Sequence, residues 1–290
     1  MKEEQRPDKL SARNVSVMFE KNNQGFLAVD DVSMTIQEGE FVVIVGPSGC
    51  GKTTFMNTFA GLVRPGKGKV LMDGQEIIGP SAERGVVFQQ FALFPWKTVS
   101  GNIEFGLKYR GIPKEQRDEI VKKYVQMIKL EGFENSYPHE LSGGMKQRVA
   151  IARVYANRPQ VLLMDEPFGA LDAQTRTIMQ EDLSEMFLSE KRTVLFITHS
   201  VDEAIYLGDR VVIMTARPGK IKKILPITRD NLIPDRRQMR YDDVVNLKEF
   251  LDLKGDIWGL IKANPGKAYS VKKGGRRLKA ESSKLKVQSS

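Results

Sequence analysis

Cysteine is nearly absent from this sequence. The 290 residues include one, Cys50, and only two histidines. A single cysteine excludes an intramolecular disulfide framework and suits a reducing compartment. Long apolar runs are missing as well, since no stretch approaches the roughly 18 residues of a membrane-spanning helix. The opening residues, MKEEQRP, are rich in charge and contain no apolar core of a signal peptide. We therefore expect a cytosolic chain that neither crosses a membrane nor is exported.

Positive charge is in excess only near the end of the chain. The net charge is +9, from 45 Lys and Arg against 36 Asp and Glu. Residues 262–290 carry nine basic residues and one acidic residue, or +8, which leaves +1 for the body. A near-neutral body disfavours a nucleic-acid-binding fold, so we expect no nucleic acid partner. The Gly, Ser and Lys content of residues 263–290 predicts a disordered basic tail that solubilises the chain or contacts lipid headgroups.

Short apolar stretches alternate with amphipathic helical patterns. The stretches are flanked by turn or helix signals, as expected for strands buried on both faces of a sheet. Alternating strands and helices predict an α/β fold with a mainly parallel core sheet. The predicted strands cover residues 41–45, 161–164, 194–198 and 211–214, and the predicted helices cover residues 114–130, 145–156 and 173–188.

Other segments follow different patterns. Residues 15–36 and 68–77 alternate apolar and polar positions, with turns at 22–25 and 73–74, and predict an antiparallel β layer. Residues 91–159 contain much helix signal and predict a helical subdomain. After residue 218 the pattern weakens, apart from a helix at about 242–261. Its predicted apolar side carries Val244, Leu247, Leu251, Trp258 and Ile261. The predicted organisation is a domain at 1–220, a helical extension at 221–262 and the tail at 263–290.

A glycine-rich segment, GPSGCGKT, joins the strand at 41–45 to an apolar helix. This is the context that a phosphate-binding loop, or P-loop, requires. The glycines let backbone N–H groups curve around phosphates, Lys52 supplies charge to the β- and γ-phosphates, and Thr53 offers a hydroxyl to Mg²⁺. Cys50 is interpreted as a small residue filling the loop, with an oxidation-sensitive thiol as the alternative. The residues expected to contact nucleotide here are Gly46, Pro47, Ser48, Gly49, Cys50, Gly51, Lys52, Thr53 and Thr54.

Two carboxylates, Asp165 and Glu166, follow the strand at 161–164. With the P-loop on a neighbouring strand, Asp165 can hold Mg²⁺ through water and Glu166 can deprotonate an attacking water. The alternative is that both carboxylates cap the turn before Pro167. His199 ends the strand at 194–198, so we expect it to face the same crevice, where a neutral imidazole can bridge the γ-phosphate and Glu166. A purely structural histidine is the alternative.

A second helix N-terminus suits an anion. Ser142 can cap the helix at 145–156, and Gly143 and Gly144 leave its first N–H groups open. A capped helix without a ligand is the plain alternative. Two phosphate-binding helix starts with only one P-loop lysine favour a face-to-face homodimer, in which each nucleotide lies between one P-loop and the partner's Ser-Gly-Gly.

In this order the motifs resemble those of the nucleotide-binding subunits of ATP-binding cassette (ABC) transporters, over roughly residues 10–218. The resemblance implies an ATPase that uses ATP and Mg²⁺ and forms a head-to-tail dimer. It identifies Gln89 as the Q-loop glutamine, Asp172 as the D-loop aspartate at the nucleotide and His199 as the switch histidine. Ser142 and Gly144 would contact the γ-phosphate held by the other subunit. The implied catalytic residues are Lys52, Gln89, Glu166 and His199, and the implied metal-binding residues are Thr53, Gln89 and Asp165.

Two further positions are interpreted through this resemblance. Phe19 precedes the P-loop by the distance at which the family places an aromatic residue to stack on adenine, with core packing as the alternative. The signature has Met145 where many members have glutamine, and Gln147 follows two positions later. This departure weakens an expected side-chain contact but leaves the Ser-Gly-Gly backbone intact.

The apolar segment from Phe91 to Trp96 follows Gln89 in a predicted surface loop. Exposed apolar loops mark partner contacts, and packing inside the helical subdomain is the alternative. The resemblance implies that this loop receives a helix from the membrane subunit, and the expected membrane partners are two permease subunits. Motifs at 94–96, 138–140, 168–172 and 216–221 are similar to those of the nitrate, sulfonate and taurine import subfamily. That subfamily implies an extracytoplasmic substrate-binding protein as an indirect partner and a peripheral location on the cytoplasmic face of the inner membrane.

One rival function is compatible with the same motifs. A soluble cassette ATPase can act on nucleic acid or the ribosome and would use the basic tail for that contact. Such DNA-repair members insert long coiled coils between the P-loop and the signature, and translation members carry two cassettes. Here a single uninterrupted cassette occupies the chain, which favours the importer subunit.

Overall fold

The computed structural model describes residues 6–21, 24–227 and 236–262, and the backbone of 272–273 and 276–277. Strands and helices alternate along most of this length. The strands are β1 (Asp8–Lys21), β2 (Gln24–Gln37), β3 (Phe41–Val45), β4 (Lys67–Met72), β5 (Gln75–Glu76), β6 (Arg84–Val87), β7 (Val161–Asp165), β8 (Thr193–Thr198), β9 (Arg210–Met214), β10 (Ile221–Pro226), β11 (Lys272–Lys273) and β12 (Arg276–Arg277). The α-helices are α1 (Lys52–Ala60), α2 (Val99–Tyr109), α3 (Lys114–Met127), α4 (Gly143–Ala156), α5 (Ala173–Glu190), α6 (Val201–Leu207), α7 (Tyr241–Val245) and α8 (Lys248–Lys262).

The core sheet has six strands in the order β10-β9-β3-β8-β7-β6. β3 and β6 to β9 run parallel, and β10 joins the edge antiparallel to β9. Every residue of β3, β7 and β8 is buried, which is typical of a parallel sheet covered on both faces. The predicted α/β fold with a mainly parallel core sheet is confirmed. The expectation that the P-loop strand neighbours the Asp165 strand is wrong, because β8 lies between β3 and β7.

Alternate residues of β3 face two different hydrophobic cores, because successive strand side chains point to opposite faces. Val42 and Ile44 pack with α1 and with a four-stranded antiparallel sheet of order β2-β1-β4-β5. This sheet is the predicted antiparallel layer. Phe41, Val43 and Val45 pack on the other side with the helices that follow β6. The P-loop therefore starts from a strand that is fixed on both faces.

Helices fill the chain between β6 and β7. α2, α3 and α4 lie there, together with a 3-10 turn at Pro138–Glu140, within the stretch at 91–159 where the sequence pattern is helical. α4 begins two residues before the predicted start at 145, because the hydroxyl of Ser142 accepts a hydrogen bond from the backbone N–H of Met145 (3.3 Å). α3 ends at Met127 rather than 130, and Lys129 adopts a left-handed φ of 55°.

The region after residue 220 differs from the expectation in two ways. β10, which was not predicted, extends the core sheet, and its lysines are tolerated because it is an edge strand. The single helix predicted at 242–261 is wrong, because the chain breaks at Asn246 into α7 and α8. The break shifts the helical phase, so Leu251 and Trp258 are exposed, Leu247 and Ile261 are half-buried, and Val244 stays buried. The buried face of α8 consists of Phe250, Leu253, Ile257 and Leu260.

This C-terminal region is attached to α6, the helix that follows His199. The guanidinium of Arg236 donates to the carbonyl of Ile205 (2.6 Å), and that of Arg237 donates to the carbonyl of Leu207 (2.9 Å). Both carbonyls lie near the C-terminal end of α6, where helix carbonyls lack intrahelical partners. α8 adds an ion pair between Lys254 and Asp202 of 2.9 Å.

Most of the basic tail predicted at 263–290 lies outside the described residues. Within it, β11 and β12 form an antiparallel pair of two residues each. Over the described part of the chain, none of the helices has the length and apolar content needed to cross a membrane.

Candidate nucleotide-binding site

The P-loop connects β3 to α1 and is shaped by its glycines. Gly51 has a φ of 101°, and a Cβ there would lie 2.6 Å from the carbonyl oxygen of Ala28. A larger residue is therefore excluded by both conformation and space. Lys52 is buried, and its Nζ donates to the carbonyls of Gly46 (3.0 Å) and Pro47 (3.2 Å). The ammonium group is thus held within the curve of the loop.

Strand ends bring the predicted acidic residues to this loop. Because the carboxyl ends of parallel strands meet at one edge of a sheet, the ends of β3, β7 and β8 meet there. The hydroxyl of Thr53 donates to Asp165 Oδ1 at 2.9 Å. Nζ of Lys52 lies 4.0 Å from Glu166 Oε1. The structure therefore brings Lys52, Thr53, Asp165 and Glu166 together.

Glu166 is the point at which the other predicted catalytic residues converge. Gln89 Nε2 donates to Glu166 Oε2 at 3.3 Å, and His199 Nδ1 lies 3.4 Å from the same oxygen. Glu166 has a left-handed φ of 43°, and its backbone N–H donates to the carbonyl of Ile197 (2.9 Å). Such a conformation in a residue other than glycine is strained and is typical of functional sites.

The groups at this edge are partly withdrawn from water. Burial raises the pKa of Asp165, while the hydrogen bond from Thr53 and the charge of Lys52 oppose the rise. Burial likewise raises the pKa of Cys50, against the influence of Lys52. The Cys50 side chain is buried behind the loop, 3.1 Å from where a Cβ on Gly46 would lie, and does not line the cavity described next.

A cavity of about 220 Å³ adjoins the P-loop. Its lining includes Ser48, Thr53 and Thr54 of the loop and helix start, together with Phe19 and Phe26. Phe19 lies opposite Phe26 in the hairpin of β1 and β2, and both rings are partly exposed. An exposed aromatic wall next to a phosphate-binding loop can accept the flat face of a base.

Sequence reasoning missed three residues of this cavity, Phe26, Ala28 and Arg217. Arg217 Nε donates to the carbonyl of Gly49 at 3.1 Å, and its guanidinium carbon lies 5.3 Å from the ring centre of Phe26. Arg217 belongs to the motif at 216–221, which indicates the subfamily but not a contact with the P-loop. Its contact with the P-loop depends on the sheet order, which the local pattern does not reveal.

The residues predicted from the signature and D-loop motifs lie elsewhere. Ser142, Gly143 and Asp172 are exposed and cap or begin helices α4 and α5; Asp172 Oδ1 accepts from the N–H of Thr175 at 2.9 Å. Backbone hydrogen bonding, first of all from Thr175, lowers the pKa of Asp172. A Cβ on Gly144 would lie 2.4 Å from Thr175 Cγ2, so the two helix starts pack closely. None of these four predicted residues lines the P-loop cavity.

The oxygen atoms beside the P-loop fit a magnesium ion bound together with nucleotide. Thr53, Asp165 and Gln89 offer hydroxyl, carboxylate and amide oxygens, which are ligands that Mg²⁺ accepts. Within the described ranges, no group of three or more His, Cys, Asp or Glu side chains is placed to hold a metal. Mg²⁺ is usually held by one or two carboxylates plus substrate phosphates.

The predicted partner loop is ordered against α2. The ring of Phe94 packs 4.4 Å from that of Phe105 and 5.7 Å from that of Trp96, measured between ring centres. Trp96 in the loop is 71% exposed, and Tyr109 at the end of α2 is 85% exposed. Asn102 is fully buried and fixes the loop: its Oδ1 accepts from the N–H of Phe94 at 2.9 Å. Asn102 thus ties this loop to α2, while the Trp96 ring stays exposed.

A larger cleft of about 460 Å³ lies between α2 and α3. Its lining includes Glu104, Asp118 and Glu131, and it contains no phosphate-binding loop. The P-loop residues therefore line the smaller cavity and not this cleft.

Comparison with known proteins agrees with this geometry. Residues 29–169 match the model of the ABC transporter family. The chain is 57% identical over 219 residues to an uncharacterized ABC transporter ATP-binding protein of Methanocaldococcus jannaschii, covering 76% of this chain and 82% of that protein. It is 42% identical to an aliphatic sulfonates import ATP-binding protein of Bacillus cereus, over 255 residues, with 88% and 99% of the two chains covered.

Two further similarities extend the comparison. A taurine import ATP-binding protein of Roseobacter denitrificans is 42% identical over 261 residues, covering 86% of this chain and 97% of that protein. A solved structure of a dimeric ATP-binding cassette in a post-hydrolysis state, bound to ADP and Pi, superposes with a TM-score of 0.68. It is 32% identical and covers 75% of this chain and 98% of its own.

Proposed function

The chain belongs to the ABC transporter family as an ATP-binding subunit with ATPase activity, and on that premise we propose that it powers import of a small sulfonate, taurine-like or nitrate-like anion. The observation that carries this choice of cargo is the 42% identity to both sulfonate and taurine import subunits over nearly their full lengths. The motifs at 138–140, 168–172 and 216–221 support the same subfamily.

We assign hydrolysis to the groups around Glu166. Its carboxylate is oriented by Gln89 and His199 at one oxygen and faces Lys52 at the other, so it can accept a proton from a water that attacks the γ-phosphate. Lys52 and the N–H groups of the P-loop stabilise the negative charge that develops on the phosphoryl oxygens. Mg²⁺ bound near Thr53, Asp165 and Gln89 would neutralise further charge on the phosphates.

We propose that a second copy of the chain completes each site. The exposed Ser142 and Gly143 and the aspartate Asp172 lie outside the P-loop cavity of their own protomer. The N-terminus of α4 nevertheless offers free N–H groups suited to phosphate. A head-to-tail dimer places these groups opposite the P-loop of the partner, and the dimeric solved cassette supports this arrangement.

The loop from Phe91 to Trp96 is the proposed contact with two permease subunits. It presents the exposed ring of Trp96 on a backbone hydrogen-bonded to Asn102, and tryptophan is enriched at interaction hot spots. Gln89, which donates to Glu166, lies two residues before this loop, so movement of the loop can be transmitted to the ATP site. The subunit would then act at the cytoplasmic face of the inner membrane and meet the cargo-binding protein only through the permease.

Reconstitution of the subunit with its permease pair in lipid vesicles tests the proposed function. ATPase activity is measured with binding protein loaded with an aliphatic sulfonate, taurine or nitrate in turn. We expect one of these cargoes to stimulate turnover, while binding protein without cargo serves as the control. Turnover that no cargo changes would overturn the proposed substrate class but not the ATPase assignment.

A further inference from the structure

A buried carboxylate, Glu203, lies directly behind the turn that carries His199. It is in the first turn of α6 and is only 4% exposed. A buried charge is costly unless it is paired and hydrogen-bonded, so its partners indicate what holds it there. Nothing in the sequence motifs assigns this residue a role.

Both carboxylate oxygens of Glu203 accept hydrogen bonds from other elements. The hydroxyl of Thr198, at the end of β8, donates to Oε2 at 2.5 Å, and Gln180 Nε2 on α5 donates to Oε1 at 3.1 Å. Burial raises the pKa of Glu203, and these two hydrogen bonds oppose the rise. Glu203 therefore joins the end of a core strand to the helix that begins after Asp172.

The residues on either side of His199 are both tied to Glu203. The Thr198 hydroxyl that donates to Glu203 also accepts from the backbone N–H of Ser200 at 2.9 Å. The hydroxyl of Ser200 in turn accepts from the backbone N–H of Glu203 at 3.3 Å. His199 is exposed and its side chain makes contact with Glu166, so its position depends on the backbone of this turn.

Gln180 extends the connection toward the predicted dimer surface. α5 starts at Ala173, directly after Asp172, and Arg176 on the same helix donates to the carbonyl of Leu171 at 2.7 Å. The turn at His199 and the loop at Asp172 are therefore attached to one rigid helix through buried or partly buried hydrogen bonds.

We propose that Glu203 is a positioning residue for hydrolysis, which holds His199 at its distance from Glu166 and links this turn to the helix that follows Asp172. The inference rests on the catalytic role proposed above for His199. Its content goes further, because it assigns the placement of His199 to one buried side chain outside the nucleotide cavity.

The test uses two pairs of variants of the full chain. Glu203→Ala and Thr198→Val remove the bond between these side chains, whereas Glu203→Gln and Thr198→Ser keep an acceptor or a hydroxyl. We expect both Glu203→Ala and Thr198→Val to lower kcat on the order of tenfold or more, with little change in KM for ATP. Small misplacement of a catalytic group is costly to the rate. The conservative variants should restore most of the turnover.

A spectroscopic signature separates positioning from general destabilisation. The chain has two histidines, so the carbon-bound ring protons of labelled histidine give two sets of NMR signals, and His199→Ala assigns them. We expect the His199 signals to shift in Glu203→Ala and Thr198→Val and to return in the conservative variants. His139, stacked on Tyr137, is the internal control.

Glu40→Ala is the matched control. Glu40 is also a buried glutamate, but it lies directly before β3, away from His199, and forms an ion pair with Arg210. It should lower Tm and leave both kcat and the His199 signals unchanged. Unchanged kcat and unchanged His199 signals in Glu203→Ala would overturn the positioning role. Full turnover in His199→Ala would overturn the proposed role of His199 and this inference with it, whereas a loss confined to His199→Ala would overturn the inference alone.

Discussion

Thr53 and Asp165 are 112 residues apart in the chain, yet the hydroxyl of one donates to the carboxylate of the other at 2.9 Å. This hydrogen bond joins the first turn of α1 to the end of β7. It places a hydroxyl and a carboxylate side by side next to Lys52, as a magnesium nucleotide requires.

Replacing the Asp165 carboxylate should therefore weaken the use of Mg²⁺. Asp165→Asn keeps the shape of the side chain and a carbonyl acceptor for Thr53 but removes the negative charge. We expect the Mg²⁺ concentration for half-maximal ATPase activity to rise by about 10- to 100-fold. Replacing residues that hold a metal through water or through another ligand typically lowers metal affinity by that factor. A Mg²⁺ titration at fixed ATP measures it, with the exposed Asp73→Asn as control. An unchanged titration in Asp165→Asn would remove Asp165 from the metal site.

Arg217 should contribute to nucleotide affinity rather than to the rate of hydrolysis. It supports the P-loop at Gly49 and lies over Phe26, both at the cavity. We expect Arg217→Ala to raise KM for ATP by roughly 2- to 10-fold with kcat nearly unchanged, since an exposed cation–π contact is worth about 1 kcal/mol. The exposed Arg64→Ala is the matched control. An equal KM in both variants would show that Arg217 is unimportant for binding.

Asn102 should matter for coupling to the permease more than for basal turnover. Its amide donates to the carbonyls of Lys97 and Thr98, both at 3.0 Å, and it also fixes Phe94. We expect Asn102→Ala to abolish stimulation by the permease pair while the ATPase activity of the isolated subunit stays within about twofold, because the loop lies outside the cavity. Trp96→Ala should behave alike, since it removes the exposed ring.

The control for this prediction is a thermal unfolding curve. Loss of a buried amide costs about 1–3 kcal/mol, so Asn102→Ala lowers Tm, whereas Trp96→Ala leaves it almost unchanged. Permease stimulation that survives in both variants would place the partner contact elsewhere.

Cys50 should be an unreactive thiol at neutral pH. Only the thiolate is nucleophilic, and burial raises the pKa of Cys50, so a smaller fraction is ionised at any given pH than in a free thiol. We expect slow alkylation by iodoacetamide. The rate should increase with pH, and the pH of half-maximal rate should be higher for Cys50 than for glutathione measured alongside. Because the chain has one cysteine, the label reports this position alone. Alkylation as fast as that of glutathione at neutral pH would contradict the buried placement.

Local sequence patterns were sufficient to predict the site where one motif spans both the functional residues and the strand and helix that carry them. The strand β3, the P-loop and α1 follow one another without interruption, so a single motif located Lys52 and Thr53 at the start of a helix. The alternation of β and α segments likewise predicted the parallel core sheet. Asp165 and His199 were predicted to share one edge because each follows a buried strand.

Other features depend on tertiary structure and could not be read from local patterns. β8 lies between β3 and β7, and this order is a matter of long-range strand pairing that the local pattern of each strand does not specify. The contact of Arg217 with Gly49 follows from the same order. The break at Asn246 was missed because the apolar spacing on either side also fits one continuous helix.

The measurement that tests the central claim most directly is ATP turnover and ATP-dependent dimerisation of Glu166→Gln. The variant keeps the hydrogen-bonding shape of Glu166 but cannot accept a proton from water, so hydrolysis should fall at least about 100-fold, the lower range for a general base. ATP binding should persist, and size-exclusion chromatography with Mg²⁺ and ATP should show a stable dimer. Turnover at the wild-type rate in Glu166→Gln would contradict the assignment of the base and, with it, the account of this site.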